Sequence, residues 1–343
     1  MSRNRAYLIA EMSANHNGDF GRAVAIVRAM KEAGADAVKL QTYTADTLAI
    51  DCDRPDFIIG EGTVWEGQRL HDLYGSAYTP WEWHGELFAL AKELGMDCFS
   101  TPFDNSAVDF LEQFDPPYYK VASFELVDVG LIEYIASKGR PIIMSTGMGS
   151  IEEITDAVDV IKKANVPLTL LKCTSAYPSP PSSMNLNTMR DMADRFGVPV
   201  GLSDHTLGTT VPIAAVALGA TVIEKHFTLS RADEGPDSSF SLEPAEFREM
   251  VDAIRIVEQA LGEIKYERSE KEQASVVFRR SLYAVADIAE GETLTTENVR
   301  SIRPGHGLKP KFLKSLLGKV ASKAISRGTP ISASAVESFE IDE

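Results

Sequence analysis

Two histidines in this sequence stand where metal chemistry can be done. His205 follows Gly201-Leu202-Ser203-Asp204, and His226 follows Val222-Ile223-Glu224-Lys225, so each closes a short, largely apolar run. If those runs are neighbouring parallel strands, the two imidazoles approach one divalent ion, with water and substrate oxygens filling its other positions. Such a ligand set suits Mn²⁺, Fe²⁺ or Zn²⁺ better than Ca²⁺; two hydrogen-bonded core histidines are the alternative. Asp204 and Glu224 flank the pair as candidate orienting groups. Two lysines form a second set. Lys39, in Val38-Lys39-Leu40-Gln41, and Lys120, in Tyr119-Lys120-Val121-Ala122-Ser123, sit inside apolar runs, although lysine is seldom buried unpaired. Turned toward one pocket with the hydroxyls of Thr101, Ser123, Ser145 and Ser203, they would bind phosphate or carboxylate. A Schiff-base lysine, or pairing with Glu11 or Glu224, are the competing readings. Glu11, followed closely by Asn15-His16-Asn17, is placed to act as a general base toward water or a hydroxyl.

The elements that would position these groups are legible as a rhythm. Short β-branched and apolar runs fall at 7–11, 37–41, 97–101, 119–123, 141–146, 168–173, 199–203 and 221–226. Amphipathic stretches such as 19–33, 81–94, 151–163 and 243–261 lie between or after them. In the third of these, Ile151, Ile154, Val158 and Ile161 recur at the helical period. Eight strands alternating with helices over about 265 residues match a (β/α)8 TIM barrel, with a doubly wound open sheet as the rival. The barrel is favoured because the chemically capable residues fall at strand C-terminal ends, which only a barrel gathers on one rim. Of the six histidines, only His205 and His226 end a strand. The segment 42–79 is longer than an ordinary barrel loop and holds Trp65, His71, Tyr74 and Tyr78, as a lid or a binding loop would.

Composition excludes several classes. Hydrophobic residues at 44% and charged residues at 24% allow a sizeable core. The low-polarity run 211–223 is too short to span a bilayer and contains Pro212. Residues 7–10 are too few for a secretory signal, and three widely spaced cysteines (Cys52, Cys98, Cys173) fit neither a disulfide framework nor a zinc site. The expectation is a cytoplasmic protein. Its net charge of −16 repels nucleic acid. The segment 300–327 nevertheless carries eight basic residues and no acidic one, which suits docking on an acidic surface or attracting a small anion. Short strands at 281–286, 321–325 and 329–331, with turns at Gly291-Glu292 and 304–307, mark a small β-rich module. The expected organisation is a barrel over 1–265, a charged linker over 266–280 and the module over 281–343.

Taken together, the segments resemble the sialic acid synthase family. They are Ile9-Ala10-Glu11 with Asn15-His16-Asn17-Gly18, Val38-Lys39-Leu40-Gln41-Thr42, Ser100-Thr101-Pro102-Phe103, Tyr119-Lys120-Val121-Ala122-Ser123 and Ser145-Thr146-Gly147-Met148. Gly201-Leu202-Ser203-Asp204-His205-Thr206, Glu224-Lys225-His226-Phe227-Thr228, Gly235-Pro236-Asp237 and Ser241-Leu242-Glu243-Pro244 continue the match. The tail, with Arg303-Pro304-Gly305, resembles an antifreeze-like (SAF) domain. The first motif, Glu11-Met12-Ser13-Ala14-Asn15-His16-Asn17, and the insertion with Thr63-Val64-Trp65-Glu66-Gly67 look most like the branch that makes pseudaminic acid; the N-acetylneuraminate and legionaminic branches are the alternatives.

The resemblance implies a TIM barrel joined to a SAF domain in a domain-swapped homodimer. It implies condensation of phosphoenolpyruvate with an N-acylated amino sugar, which in that branch is 2,4-diacetamido-2,4,6-trideoxy-L-altrose. His205 and His226 would hold a divalent ion, Mn²⁺ first, with Mg²⁺ or Co²⁺ as alternatives. Lys39, Thr101, Lys120, Ser123, Ser145 and Ser203 would hold phosphoenolpyruvate. Gln41, Tyr177, Asp237 and, from the partner subunit, Arg303 would face the sugar, and Glu11 would activate or position the water. Where the family often has Asn this chain has Ser175. A metal-dependent aldolase barrel would share the histidines and lysines but release no phosphate, and a non-catalytic scaffold would turn nothing over.

Overall fold

The computed structural model describes residues 5–340, so residues 1–4 and 341–343, the outer ends of the expected barrel and module, lie outside the described residues. Eight parallel strands close into a barrel in sequence order: β1 (Tyr7–Glu11), β2 (Ala37–Thr42), β3 (Asp97–Pro102), β4 (Tyr119–Val121), β5 (Ile142–Ser145), β6 (Leu168–Cys173), β7 (Val200–Asp204) and β8 (Val222–His226). The seam is the β1–β8 pair, where Glu11 stands beside His226. Each strand is followed by a helix, from Phe20–Ala33 after β1 to Pro244–Leu261 after β8. The helix Ile151–Lys163 has its four-residue spacing anchored by a Ser150–Glu153 capping box.

Strand parity explains why the chemistry converges. Successive side chains alternate between the interior and the helix layer. Ile9, Ala37, Phe99, Ile143, Leu171 and Val222 form the apolar interior, with Tyr7 and Tyr118 packed against it. Two residues on from these come Glu11, Lys39, Thr101, Ser145, Cys173 and Glu224, with Lys120 two on from Tyr118. Every apolar interior position therefore carries a polar one above it at the strand's C-terminal end. The intervening residues, among them Leu8, Val38, Leu40, Met144, Leu170 and Leu202, pack against the helices in the larger core. Gly201 completes the interior of β7 because a Cβ there would collide with the carbonyl oxygen of Val222.

The chain divides into two compact units, Met1–Gly262 and Glu263–Glu343. In the segment 266–280, Ser269 caps a short helix, Glu270–Ser275. The second unit contains β9 (Ser281–Ala284) paired antiparallel with β10 (Val299–Ile302) around Leu282, Ala284, Leu294, Val299 and Ile331. The strands expected at 321–325 and 329–331 form only isolated bridges: Ala321 to Val336, Ile325 to Ile288 and Pro330 to Tyr283. Each of these runs meets its partners one residue at a time, so no ladder extends. Among the described residues no helix is long and apolar enough to cross a membrane.

Candidate active site

The polar floor of the barrel mouth is a compact set of opposed charges. The Lys39 ammonium lies 2.7 Å from Oε2 of Glu11 and 3.6 Å from Oε1 of Glu224, and it donates to Thr101 Oγ1 at 3.3 Å. Lys120 Nζ donates to Ser145 Oγ at 2.8 Å and stands 3.9 Å from Glu224. All four charged side chains are buried. The pairing with Glu11 and Glu224, one of the competing readings of the lysines, is thus realised. The two carboxylates are not equivalent. Burial works against charge on Glu224, but Lys120 and Lys39 together hold its carboxyl below the ordinary range. Burial pushes the Glu11 carboxyl up, with Lys39 opposing and Glu224 adding to the rise. A buried carboxyl whose hold on its proton is raised in this way is suited to proton transfer. Ser203 Oγ donates to Glu224 at 3.2 Å. Ser123 Oγ accepts the Gly147 N–H at 3.1 Å, and a Cβ on Gly147 would strike the hydroxyls of Ser123 and Ser175. Thr101, Ser123, Ser145 and Ser203 are all buried at this level.

His205 and His226 face each other with ring centroids 5.3 Å apart. The Thr174 carbonyl lies 3.0 Å from His205 Nδ1; a proton donated there leaves Nε2 as the free ligand nitrogen. His226 Nδ1 is buried without a hydrogen-bond partner, and burial plus neighbouring cations hold this imidazole well below its ordinary pKa, hence neutral. An unpartnered neutral imidazole beside a second oriented one fits a divalent ion. Among the described residues no group of three or more His, Cys, Asp or Glu side chains is placed to hold a metal ion. An ion held by the two imidazoles would take its remaining ligands from water and substrate. The expected orienting role of Asp204 is not realised, because strand parity turns its side chain outward, into a buried ion pair with Lys225 and a bond to Thr206. Glu224 serves the lysines instead of a histidine. Cys173 Sγ lies 3.8 Å from His205 Nδ1.

Beside the histidines opens a cavity of about 350 Å³. Ser13, Gln41, Tyr177, His226 and Asp237 line it together with apolar residues of the insertion. Gln41 Nε2 donates to Glu11 Oε1 at 3.0 Å and to Ser13 Oγ at 2.9 Å, and Ser13 Oγ in turn donates to Asp237 Oδ2. Tyr177 packs on His205, ring centroids 4.4 Å apart. Glu11, Gln41, Tyr177 and Asp237 are thereby joined in one site. Arg303 is exposed in the second unit, just past β10. Trp81 and Trp83 do not reach the cavity; Trp81 packs on Phe110, and Trp83 on His16 and Phe20. Sequence reasoning missed two members. Ser13 holds a left-handed backbone (φ 46°) that presents its hydroxyl between Gln41 and Asp237. Glu125 lines the cavity with Oε2 buried and unpartnered, and burial pushes its carboxyl up to about 7. The one signal for Glu125 was a lone acid in the otherwise apolar stretch Phe124-Glu125-Leu126-Val127.

Residues 26–266 match the NeuB family, and residues 279–337 match the SAF domain. The chain belongs to the NeuB family. It is 48% identical over 325 residues to the pseudaminic acid synthase of Campylobacter jejuni strain 81-176, covering 94% of each chain. It is 37% identical to the N,N'-diacetyllegionaminic acid synthase of Legionella pneumophila, over 95% of this chain and 93% of that one. Among solved structures, the N-acetylneuraminic acid synthetase of Leptospira borgpetersenii superposes with a TM-score of 0.72 at 30% identity, covering 80% of this chain and 91% of that one.

Proposed function

We propose that this chain condenses phosphoenolpyruvate with 2,4-diacetamido-2,4,6-trideoxy-L-altrose and water, giving pseudaminic acid and inorganic phosphate. The observation that carries the reading is the joining of a lysine–hydroxyl floor, a histidine pair and an apolar-walled cavity in one barrel mouth. The higher identity to a pseudaminic acid synthase, 48% against 37% for the legionaminic relative, supports this acceptor.

Lys39 and Lys120, with the hydroxyls of Thr101, Ser123, Ser145 and Ser203, hold the phosphate and carboxylate of phosphoenolpyruvate by charge-assisted hydrogen bonds. Gln41, Tyr177 and Asp237 orient the open-chain sugar so that its aldehyde meets C3 of phosphoenolpyruvate, an entropic gain made before the chemistry. His205 and His226 would hold the divalent ion, Mn²⁺ first with Mg²⁺ or Co²⁺ as alternatives, which supplies Lewis-acid polarisation of the aldehyde when bound. As the C3–C1 bond forms, positive charge develops at C2 of the former phosphoenolpyruvate, and buried Glu11 stabilises it. Glu11 then positions the water that adds to C2 and takes up one of its protons, which passes to the oxygen of the former aldehyde, while the second proton leaves with the phosphate as C2 becomes a carbonyl. The phosphate-bearing tetrahedral carbon collapses by C–O cleavage, and Lys39 and Lys120 receive the charge on the departing phosphate. In the proposed assembly, a domain-swapped homodimer, Arg303 of the partner subunit faces the sugar. The basic stretch 300–327 suits such docking on an acidic barrel.

The test is phosphate release from phosphoenolpyruvate with Mn²⁺, comparing the L-altrose diacetamido sugar, its legionaminic counterpart and N-acetylmannosamine. Release with the first, and its loss on chelation, is the expected result. Preference for another acceptor would overturn the choice of sugar, and no release with any would overturn the reaction.

A further inference from the structure

The insertion between β2 and its helix contributes a largely apolar wall. Its side chains at the cavity include Leu48, Ile59, Trp65 and Leu73, and its polar groups there are the hydroxyls of Tyr43, Thr63 and Tyr74 and the Trp65 N–H. Part of this wall is a small closed hairpin. Ile58 bridges Arg69, Ile59 N–H donates to the Gln68 carbonyl at 2.9 Å, and Gly67 N–H donates to the Ile59 carbonyl at 2.9 Å. From Gly60 to Gln68 every residue is exposed except Trp65. Its indole N–H donates to the Pro236 carbonyl at 3.0 Å, and its ring lies 5.5 Å from that of Tyr177. Pro236 immediately precedes Asp237, the carboxylate tied through Ser13 to Gln41. The hairpin is thus fastened to the sugar side of the site by one aromatic side chain.

We propose that Trp65, fixed by Pro236 and Tyr177, is the residue by which this site selects an acceptor whose far end is methyl-bearing rather than hydroxyl-bearing. The inference rests on the reaction proposed above and adds to it the group that reads the sugar. A methyl or an acetamido methyl gains by leaving water against this wall. A hydroxyl against the Trp65 face gives up its water and gains no partner from the indole, whose N–H is already donated to the Pro236 carbonyl. Trp65 does this as a specificity residue, through contact and by holding the hairpin closed.

The experiment uses a matched pair of acceptors: the 2,4-diacetamido-2,4,6-trideoxy-L-altrose itself and its analogue with a C6 hydroxyl. Phosphate release is measured for the full-length wild type, Trp65→Ala and Trp65→Phe. The wild type is expected to favour the methyl sugar by ~10- to 100-fold in kcat/KM, the scale of discrimination expected for a small apolar group. Trp65→Ala should bring the ratio to within about threefold by raising KM for the methyl sugar, with KM for phosphoenolpyruvate unchanged. Trp65→Phe, which keeps the aromatic face and loses the N–H, should retain most of the discrimination. That last result separates selection from mere loss of folding. Equal kcat/KM for the pair in the wild type, or a ratio unchanged in Trp65→Ala, would overturn the inference alone. No turnover of the methyl sugar by the wild type would overturn the reaction and, with it, the inference.

Discussion

The ammonium of Lys39 ties together two buried carboxylates from the strands that meet at the barrel seam, lying 2.7 Å from Glu11 on β1 and 3.6 Å from Glu224 on β8. Burial works against a charged Lys39, yet Glu11 and Glu224 more than offset it and hold its pKa above the ordinary lysine value. One cation therefore serves as counter-ion to two buried carboxylates and, in the proposed reaction, as a ligand of phosphoenolpyruvate.

Removing that cation should be felt in stability. Lys39→Met leaves Glu11 without its counter-ion in a buried site, a change that costs about 3–5 kcal/mol. Adding Glu11→Gln to Lys39→Met should restore part of the loss, since the uncompensated charge goes with it. Urea unfolding of the two single variants and the double variant measures this. Equal denaturation midpoints for wild type and Lys39→Met would show that the pair bears no part of the fold's stability.

Glu11→Gln alone separates binding from turnover. The amide retains the shape that Gln41 contacts but cannot accept a proton or stabilise positive charge at C2. Phosphoenolpyruvate binding should persist, while phosphate release falls by about 10²–10⁴-fold, the range for a general acid–base group. Calorimetric titration and a phosphate assay on one preparation report both quantities. Near-normal turnover would remove Glu11 from the mechanism.

The histidine pair makes a prediction that needs no catalysis. His226 Nδ1 is buried and unpartnered, so an ion held by the two imidazoles should stabilise the folded chain by mass action, about 2.7 kcal/mol at a hundredfold excess over Kd. Thermal unfolding with and without Mn²⁺ should show a rise in Tm for the wild type and none for His226→Ala. An equal rise in both would place the ion elsewhere.

Much of this site was legible because barrel strands obey a strict alternation. Glu11 and both histidines are polar residues at the ends of apolar runs, and Lys39 and Lys120 interrupt such runs in mid-strand; a parallel barrel gathers these positions at one mouth. Parity also corrects the reading of Asp204: adjacent to inward Ser203, its side chain must face outward, where it meets Lys225. What strand rhythm cannot reveal is chemistry carried by turns. Ser13 acts through a left-handed backbone, Glu125 through the depth of a short helical turn after β4, and Trp65 through a hairpin closed by backbone bonds. None of these positions follows from a period in the sequence. The second unit was harder for a related reason, since single bridges at 321–325 and 329–331 satisfy the alternation of a strand without forming one.

Glu125 makes the fold's stability depend on pH in a definite direction. Burial raises its carboxyl to about 7, against the opposing pull of its own backbone N–H and of Lys120. The ordinary value is 4.5, so between these two points the folded chain binds this proton more tightly than the unfolded chain. Stability from this group is complete below about pH 4.5 and is lost as pH rises through 7. At about 1.36 kcal/mol per unit, the loss is at most on the order of 3 kcal/mol. Glu125→Gln carries no such proton and should lose less stability than the wild type between pH 5 and 8, with the two curves diverging upward from pH 5. Denaturant unfolding at half-unit steps resolves the difference. Parallel curves would mean that water reaches Oε2 and that the Glu125 proton is held no more tightly in the folded chain than in the unfolded one.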